Sequence, residues 1–537
     1  MKKFINIFIL VSTSTMFFTS CSKSYLDEKP YSSYSPSTLN DSLGFEAQVY
    51  GLYNQLSLYY TYSGAQGWPS VWQVGTDIAN ATQAQGIEVP YYNYNTLNST
   101  DGAASRTWTL NYQMINNCNI IISGIENPSL TGMGQDNKNN IDGEAKFFRA
   151  FAYNMLATCF GGVPIVTTPL TAPKTDFTRS TLDSVNNLIV SDLTFAATNL
   201  PDIDAVKKNS KGLMYQRANK YQAMQLLAEV YLRMNKNDLA EQQAEAIINS
   251  GKFSLINARY GVKAGQPGDY YSDMFWYGNQ RRSQGNTEAI WVLEQENPSA
   301  VVGGTSDAAQ QRRIWGAAYY QIAGMVICDS LGGRGISRLR LDNWVVYNLY
   351  DAGDIRNSEW NIRRHYYYNT PGAANFGQEV PRNTSDTVYK ICANVTKWYQ
   401  FDPNDVFGYG MVKDYILMRL GETYLLLAEA DVKQNKMDEA AAAINILRAR
   451  AQAPMVTAAQ MNMDFILDER ARELLGEENR RMTLMRTKTL VERATRLNPT
   501  SVLHPITGLT ENNELMPIPQ SEIDLNKDAV LTQNPGY

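Results

Sequence analysis

The sequence has very little histidine and cysteine, two residue types that often serve as metal ligands or catalytic groups. Its 537 residues include only two histidines, His365 and His504, and five cysteines. No cysteines form a CxxC pair or stand at zinc-ligand spacing, and the HExxH, GxSxG, P-loop, Rossmann and EF-hand signatures are all missing from the chain. We therefore predict no catalytic residue, no metal site and no cofactor.

A strong charge of one sign is also missing. The chain carries 48 Lys and Arg against 53 Asp and Glu, a formal net charge of −5, and it has no basic block. Nucleic-acid partners are therefore not expected. Long apolar runs are scarce as well, because the run from Phe4 to Phe18 is short and contains Asn6 and a polar stretch at Ser12 to Thr15. It does not predict a membrane-spanning helix.

That run has instead the form of a secretory signal, with two lysines before it and Thr19-Ser20-Cys21 after it. It resembles bacterial lipoprotein signals, in which the cysteine is acylated and becomes the new N-terminus, although Phe18 stands where leucine is usual. We predict a signal peptide at 1–20, lipidation of Cys21, and a tether rich in Ser, Tyr and Pro at 21–40. The alternative is that Cys21 is an ordinary thiol near an ordinary cleavage site.

The other four cysteines are far apart in the sequence. One or two disulfides could form in an exported protein, but buried free thiols are the simpler interpretation. The four residues are Cys118, Cys159, Cys328 and Cys392.

Helical periodicity dominates two parts of the chain. Ala223, Leu226, Leu227, Val230 and Met234 share one helix face, and a second apolar face follows after a break at Asn235–Asp238. The same pattern returns two hundred residues later, where Leu426 to Ala440 matches Leu226 to Ala240 in register. Such helix pairs resemble tetratricopeptide repeats, which bury their apolar faces by stacking on neighbours.

We therefore predict a mostly α-helical fold with little β structure. A scaffold of tetratricopeptide-like helix pairs occupies 41–256 and 413–493, a large loop-rich insertion occupies 257–412, and a Pro-punctuated tail occupies 494–537. All of these belong to one body from residue 41 to residue 537. Loop-rich insertions of this size commonly carry binding function.

Aromatic residues are abundant, with 33 Tyr and 9 Trp. Flat rings with a polar edge suit the apolar faces of sugars, although core packing accounts for many of them. Glycine and asparagine punctuation around the dense rings at 68–94 predicts exposed loops. A second group of rings lies in the insertion. The candidate ligand-binding residues are Trp68, Trp72, Tyr91, Tyr92, Tyr94, Trp276, Tyr277, Trp315, Tyr319 and Tyr320.

The most highly charged stretch is Asp468 to Arg486. Its spacing predicts helix-surface ion pairs between Asp468 and Arg472 and between Glu477 and Arg481. We interpret this stretch as structural, because ion pairing explains it better than catalysis or an anion site does.

Several segments, taken in order, resemble the SusD (RagB/SusD) family of nutrient-uptake lipoproteins of Bacteroidetes. The first is the Gly143 to Ala150 segment GEAKFFRA with the Gly161 to Pro164 exit GGVP. Gly476 and Thr483 depart from the family pattern, which usually has an aromatic residue and an aspartate there. The remaining matching segments are Arg419 to Ala430, Asn445 to Arg450, Glu469 to Arg480, Leu515 to Ile523 and Gln533 to Tyr537.

The resemblance implies a non-enzymatic lipoprotein of the outer membrane, facing the cell exterior. Such a protein captures an oligosaccharide or polysaccharide and passes it to a SusC-like TonB-dependent transporter, on which it sits as a lid. The family's scaffold motifs carry no ligand contacts, so the ligand surface is expected in the aromatic loops. Two alternatives remain: a surface glycoside hydrolase, since paired carboxylates have no fixed sequence spacing, and a binder of a non-glycan nutrient such as peptide.

Changing Cys21 to alanine should release the protein from the membrane fraction, because several acyl chains on one cysteine give stable anchoring whereas a single chain is marginal. Fractionation and lipid labelling of Cys21→Ala measure this. A variant that remains membrane-bound and labelled contradicts the prediction.

Overall fold

The computed structural model describes residues 41–60, 67–301, 309–408, 410–498 and 503–537. Cys21, the predicted signal peptide and the predicted tether lie outside the described residues. The described chain is mostly helical. Its helices are α1 Ser42–Ser57, α2 Gly102–Ile125, α3 Gln135–Phe160, α4 Leu182–Asn199, α5 Lys220–Arg233, α6 Asn237–Ile248, α7 Tyr270–Asp273, α8 Gln311–Trp315, α9 Asn343–Tyr347, α10 Thr384–Val388, α11 Leu420–Lys433, α12 Met437–Arg450, α13 Met463–Leu474, α14 Arg480–Thr487, α15 Leu490–Leu497 and α16 Gln520–Leu525.

The β structure is limited to short antiparallel pairs, as the prediction of little β required. Each of the four sheets in the described chain has two strands, and three of them join segments far apart in sequence. The pairs are β1 Ala79–Ala81 with β5 Leu339–Leu341, β2 Lys208–Asn209 with β3 Gly212–Leu213, β4 Ala289–Leu293 with β8 Tyr415–Arg419, and β6 Ile362–Arg363 with β7 Asn394–Val395.

The two predicted helix pairs are confirmed, and they match in detail. Helices α5 and α6 form the first pair, and α11 and α12 form the second. The turn residues Asn235 and Asn435 both have left-handed backbones, with φ of 57° and 61°. Asparagine tolerates this conformation better than most residues do, so the same sequence break produces the same turn twice. The alanines Ala240 and Ala440 are fully buried where the helices approach closely.

The second pair stacks directly on the first. Thr423 Oγ1 donates to Gln225 Oε1 at 2.7 Å, and Gln225 Nε2 donates to Glu422 Oε2 at 2.9 Å. At the other end of the pair, the Lys436 ammonium lies 2.5 Å from a Glu241 carboxylate oxygen. Two helix pairs that are two hundred residues apart in sequence therefore share one interface, as a repeat scaffold requires.

The charged stretch from Asp468 to Arg486 is structural, but the predicted pairs within it are wrong. Asp468 pairs with Arg493 and Arg472 pairs with Glu469. Arg481 is buried and donates to backbone carbonyls, among them that of Val71 at 2.8 Å. Helical spacing identifies neighbours along one helix only, whereas Asp468 and Arg481 find their partners on other segments.

Within this charged stretch, Glu473 links separate parts of the chain. It accepts from Arg419, Arg450 and Arg356, all with fully buried side chains. Burial alone would raise the pKa of Glu473, but the charges of Arg450, Arg419 and Arg356 hold that pKa below its usual value. Glu473 therefore ties the second helix pair, through Arg419 and Arg450, to the predicted insertion, through Arg356.

The four cysteines named above are free thiols in the structure, buried except for the partly exposed Cys328. Within the described residues, no helix is both long enough and apolar enough to cross a membrane.

Replacing Asn435 by valine should lower the free energy of unfolding by about 1–2 kcal/mol, because a β-branched residue is strained in a left-handed backbone. Asn435→Gly is the matched control and should be nearly neutral, since glycine adopts positive φ freely. Urea denaturation measures both. Equal effects of the two substitutions would contradict the role of the turn.

Candidate binding site

Seven of the ten candidate aromatic residues are core residues, so the expectation of exposed ligand-binding rings is wrong for them. Each is at most 5% exposed, which leaves no ring face for a ligand. They are Trp68, Trp72, Tyr91, Tyr92, Tyr94, Trp315 and Tyr319.

The segment from residue 67 to residue 98 does lack long helices, as predicted, but it lies against the body rather than in solvent. The rings of Trp68 and Trp72 pack edge to face with centroids 5.4 Å apart. Tyr91 donates its hydroxyl to Asp101 Oδ1 at 2.7 Å, and Tyr94 accepts from Arg481 Nη1 at 2.6 Å. Buried hydroxyls thus find internal partners, and a buried loop satisfies its polar groups in the same way.

Trp315 and Tyr319 occupy the core of the insertion. Trp315 ends α8 and is 1% exposed. The Tyr319 hydroxyl donates to the Cys328 carbonyl at 3.1 Å, and the ring stacks on Tyr366 with centroids 6.1 Å apart. The two rings do not share a helix face, because α8 ends at Trp315 and Tyr319 belongs to a separate apolar cluster.

The other three candidates reach the surface, and Trp276 forms part of a pocket. Tyr277 is 44% exposed and Tyr320 is half-buried. The pocket has a volume of about 110 Å³. Aromatic rings and uncharged polar groups supply nearly all of its lining. The lining residues are Ser272, Phe275, Trp276, Ser330, Trp360, Asn361, Arg363, Thr396, Tyr399 and Gln400.

Three polar atoms among these residues are buried but have no hydrogen-bond partner in the described part of the chain. They are the donors Trp276 Nε1 and Arg363 Nε and the acceptor Asn361 Oδ1. Asn361 is only 2% exposed. A buried polar atom without a partner costs about 1–3 kcal/mol. These atoms give the pocket two donors and one acceptor for a bound molecule.

The pocket is held by a small strand pair and by a helix cap. Strand β6 pairs Arg363 with Asn394, and the Thr396 amide donates to the Asn361 carbonyl at 3.0 Å. Asn361 Nδ2 donates to the Asp269 carboxylate at 3.1 Å, and Asp269 also caps α7 by accepting from the Ser272 amide at 2.7 Å. The Asn361 Nδ2 group is therefore held in place by Asp269, and this fixes the orientation of the unpartnered Oδ1.

Sequence reasoning found Trp276 but missed Asn361 and Arg363. Trp360 and Tyr399 stood out only as members of an aromatic-rich region. A lone asparagine and a lone arginine between short strands give no periodic or motif signal. Only the fold, which brings residues 272–276, 360–363 and 396–400 together, identifies these residues as one site.

Two other concavities lie elsewhere in the described structure. A groove of about 780 Å³ lies between α1, α2 and the C-terminal tail. Its amides satisfy one another or the backbone: Asn117 donates to Gln55 at 2.8 Å, and Asn116 accepts from the Leu170 amide at 2.8 Å. A second pocket, of about 160 Å³, is lined by ion-paired charges, including Arg470 and Glu478, and its lining residues also carry three unpartnered polar atoms: Gln73 Oε1, Gln311 Oε1 and Arg470 Nη1. A cavity of that size and polarity suits buried water.

Among the residues that the structure describes, no group of three or more His, Cys, Asp or Glu side chains is arranged to hold a metal ion.

Comparison with known proteins places this helical scaffold and its insertion in one class, the SusD-type fold. The profile of the SusD family matches residues 339–537, and a second profile, described as "Starch-binding associating with outer membrane", matches residues 24–232. The two matches together take in about three quarters of the chain. This protein belongs to the SusD family.

Individual relatives agree along nearly the full length. SusD-like protein P25 of Formosa agariphila is 24% identical over 98% of this chain and 99% of its own. A solved structure described as a laminarin-binding SusD-like protein superposes with a TM-score of 0.67 at 22% identity, covering 92% of this chain and 99% of that one. Surface glycan-binding protein A from Bacteroides uniformis gives 0.69 at 18% identity, with coverage of 92% and 99%.

Replacing Trp315 by alanine should lower the free energy of unfolding by about 3–5 kcal/mol, because it removes a large ring from a packed core. Trp360→Ala is the matched control; its ring is 38% exposed, so a much smaller loss of stability is expected. Chemical denaturation of both variants measures the difference. If Trp315→Ala were as stable as the wild type, the assignment of this ring to the core would be wrong.

Proposed function

We propose that this protein is a cell-surface glycan-binding lipoprotein and that the pocket around Trp276 and Trp360 is part of its ligand site. The observation that carries the proposal is the set of unpartnered polar atoms between aromatic rings. Sugars present apolar faces and hydroxyl edges, so a site for them needs flat rings and a few fixed donors and acceptors.

The size of the pocket limits what enters it. A volume of about 110 Å³ suits one edge or one substituent of a sugar ring rather than a whole oligosaccharide. Trp360 is 38% exposed, so its ring extends the apolar surface beyond the pocket. Further sugar units would then lie across the exposed surface of the insertion, where Tyr277 is also accessible.

The comparisons support this class of ligand. One structural neighbour is described as laminarin-binding, another is named a surface glycan-binding protein, and one matching family profile is described as starch-binding. These descriptions name different glycans, so they support glycan binding in general rather than one particular polysaccharide.

Anchoring and delivery complete the proposal. Cys21 carries the lipid, the protein lies at the outer membrane facing the exterior, and a SusC-like TonB-dependent transporter receives the bound glycan. Support comes from the signal sequence and from the family profile that is described as associating with the outer membrane. We propose that the protein binds without turnover, so it should release no reducing ends from the glycan it binds best.

Replacing Trp360 by alanine should weaken binding of the best glycan about fivefold or more, because one sugar–aromatic stacking contact contributes about 1 kcal/mol or more. Titration calorimetry against the best ligand from a panel of polysaccharides measures this. Tyr347→Ala is the matched control, since Tyr347 is 65% exposed and does not line the pocket.

Wild-type affinity in both Trp360→Ala and Trp276→Ala would show that the pocket is not the ligand site. Release of reducing ends, abolished by a single carboxylate substitution, would favour a hydrolase instead. Binding of peptides with no binding to any glycan would favour the non-glycan nutrient.

A further inference from the structure

Buried arginines in this protein are mostly paired with carboxylates. Eleven of the fourteen arginines that are buried in the described chain lie within 3.0 Å of an Asp or Glu oxygen. They are Arg149, Arg217, Arg338, Arg356, Arg419, Arg448, Arg450, Arg470, Arg480, Arg486 and Arg493. The desolvation cost of a guanidinium explains this pattern, because a partly buried cation needs a compensating anion or several acceptors.

Arg363 is different from these arginines. It is half-buried in the wall of the pocket, yet it forms no ion pair with any described carboxylate, and its Nε has no acceptor. Its guanidinium carbon lies 5.6 Å from the centre of the Tyr399 ring, a cation–π contact that leaves the N–H donors free.

A second cation lies near one of the rings that line the pocket. The Lys263 ammonium lies 5.4 Å from the centre of the Trp276 ring. Lys263 also forms no ion pair with a carboxylate in the described ranges. Lys263 acts electrostatically on the Asp329 carboxylate, so Arg363 is the lining cation without a paired carboxylate in the described chain, beside an indole N–H that is also unused.

Two carboxylates close in sequence to the pocket lining are engaged elsewhere. Asp269 accepts from the Ser272 amide, from Ser358 Oγ at 2.6 Å and from the Asn361 amide group. Asp329 accepts from the Phe401 amide at 3.1 Å, and burial raises its pKa. Neither one neutralises Arg363, and none of the ten described lining residues is acidic.

We infer that the pocket selects a glycan carrying an anionic group, either the carboxylate of a uronic acid or a sulfate ester. This inference rests on the proposed function and names the substrate class of the same site. A carboxylate or sulfate oxygen accepts from Arg363 Nε and from a terminal guanidinium nitrogen, giving the charge-assisted geometry that arginine favours. Trp276 Nε1 donates to the same group or to a neighbouring hydroxyl, and Asn361 Oδ1 accepts from a hydroxyl.

Matched pairs of polymers test the charge of the ligand directly. Polygalacturonate is compared with its fully methyl-esterified form, and κ-carrageenan with its desulfated form, by calorimetry with the full mature chain. We expect one acidic member to bind at least tenfold more tightly than its neutral counterpart, and this preference to shrink as salt is added. The pair that shows the preference distinguishes carboxylate from sulfate.

Variants at the pocket locate the effect. Arg363→Gln should remove the preference for the acidic polymer, whereas Arg363→Lys should keep part of it. Arg382→Gln is the matched control, because Arg382 is an exposed arginine of the same insertion outside the pocket lining. Unchanged melting temperatures confirm that each variant is folded.

The two proposals fail in different ways. If the wild type binds neutral glycans as tightly as acidic ones, and Arg363→Gln binds both as the wild type does, the selection for acidic sugars is wrong, although glycan binding stands. If Trp360→Ala also leaves all binding unchanged, or no glycan binds at all, the proposed function fails as well.

Discussion

The buried carboxylate of Glu473 is the interaction on which the rest of the structure depends. Three arginines converge on it: Arg419 from the strand that leads into the second helix pair, Arg450 from the end of that pair, and Arg356 from the loop-rich insertion. Removing one partner from such a buried cluster typically costs about 3–5 kcal/mol, because the remaining charges stay desolvated. The cluster therefore fixes the position of the loop-rich insertion relative to the second helix pair.

The same buried charges also fix the position of the pocket. Arg356 lies only a few residues before Trp360, and the turn between them is held by the Asn361 amide, which donates to the Ile355 carbonyl at 2.8 Å. Lys397 lies in the short turn Thr396–Trp398 that follows β7, and its ammonium is 2.5 Å from a Glu477 carboxylate oxygen. Both chain segments that frame the pocket are thus tied to the α13–α14 region by buried charge. A site made of short strands and loops gains its rigidity from the helical scaffold, which is how loop-borne sites are commonly supported.

Sequence reasoning predicted the parts of the fold that local patterns determine. The repeated Asn-Lys-x-Asp break and its flanking apolar faces encode the two helix pairs, since asparagine tolerates the left-handed turn and alanine permits close packing. It misjudged features that depend on distant contacts. The rings of Trp68 and Tyr91 lie in loops but are covered by other segments, and Arg481 bonds to carbonyls four hundred residues away. Arg363 and Asn361 could be identified only from the fold, because the fold shows that Arg363 Nε and Asn361 Oδ1 have no hydrogen-bond partner in the described chain.

The central claim is that buried charge holds the insertion, and with it the pocket, on the helical scaffold. Hydrogen exchange of Arg356→Met tests it most directly, with the exposed-pair variant Arg496→Met as control. The account predicts faster exchange of the Ile362 and Thr396 amides, which bond within the pocket frame, and unchanged exchange along the first helix pair at Lys220–Arg233 and Asn237–Ile248. No change at Ile362 and Thr396, or an equal acceleration in that helix pair, would contradict it.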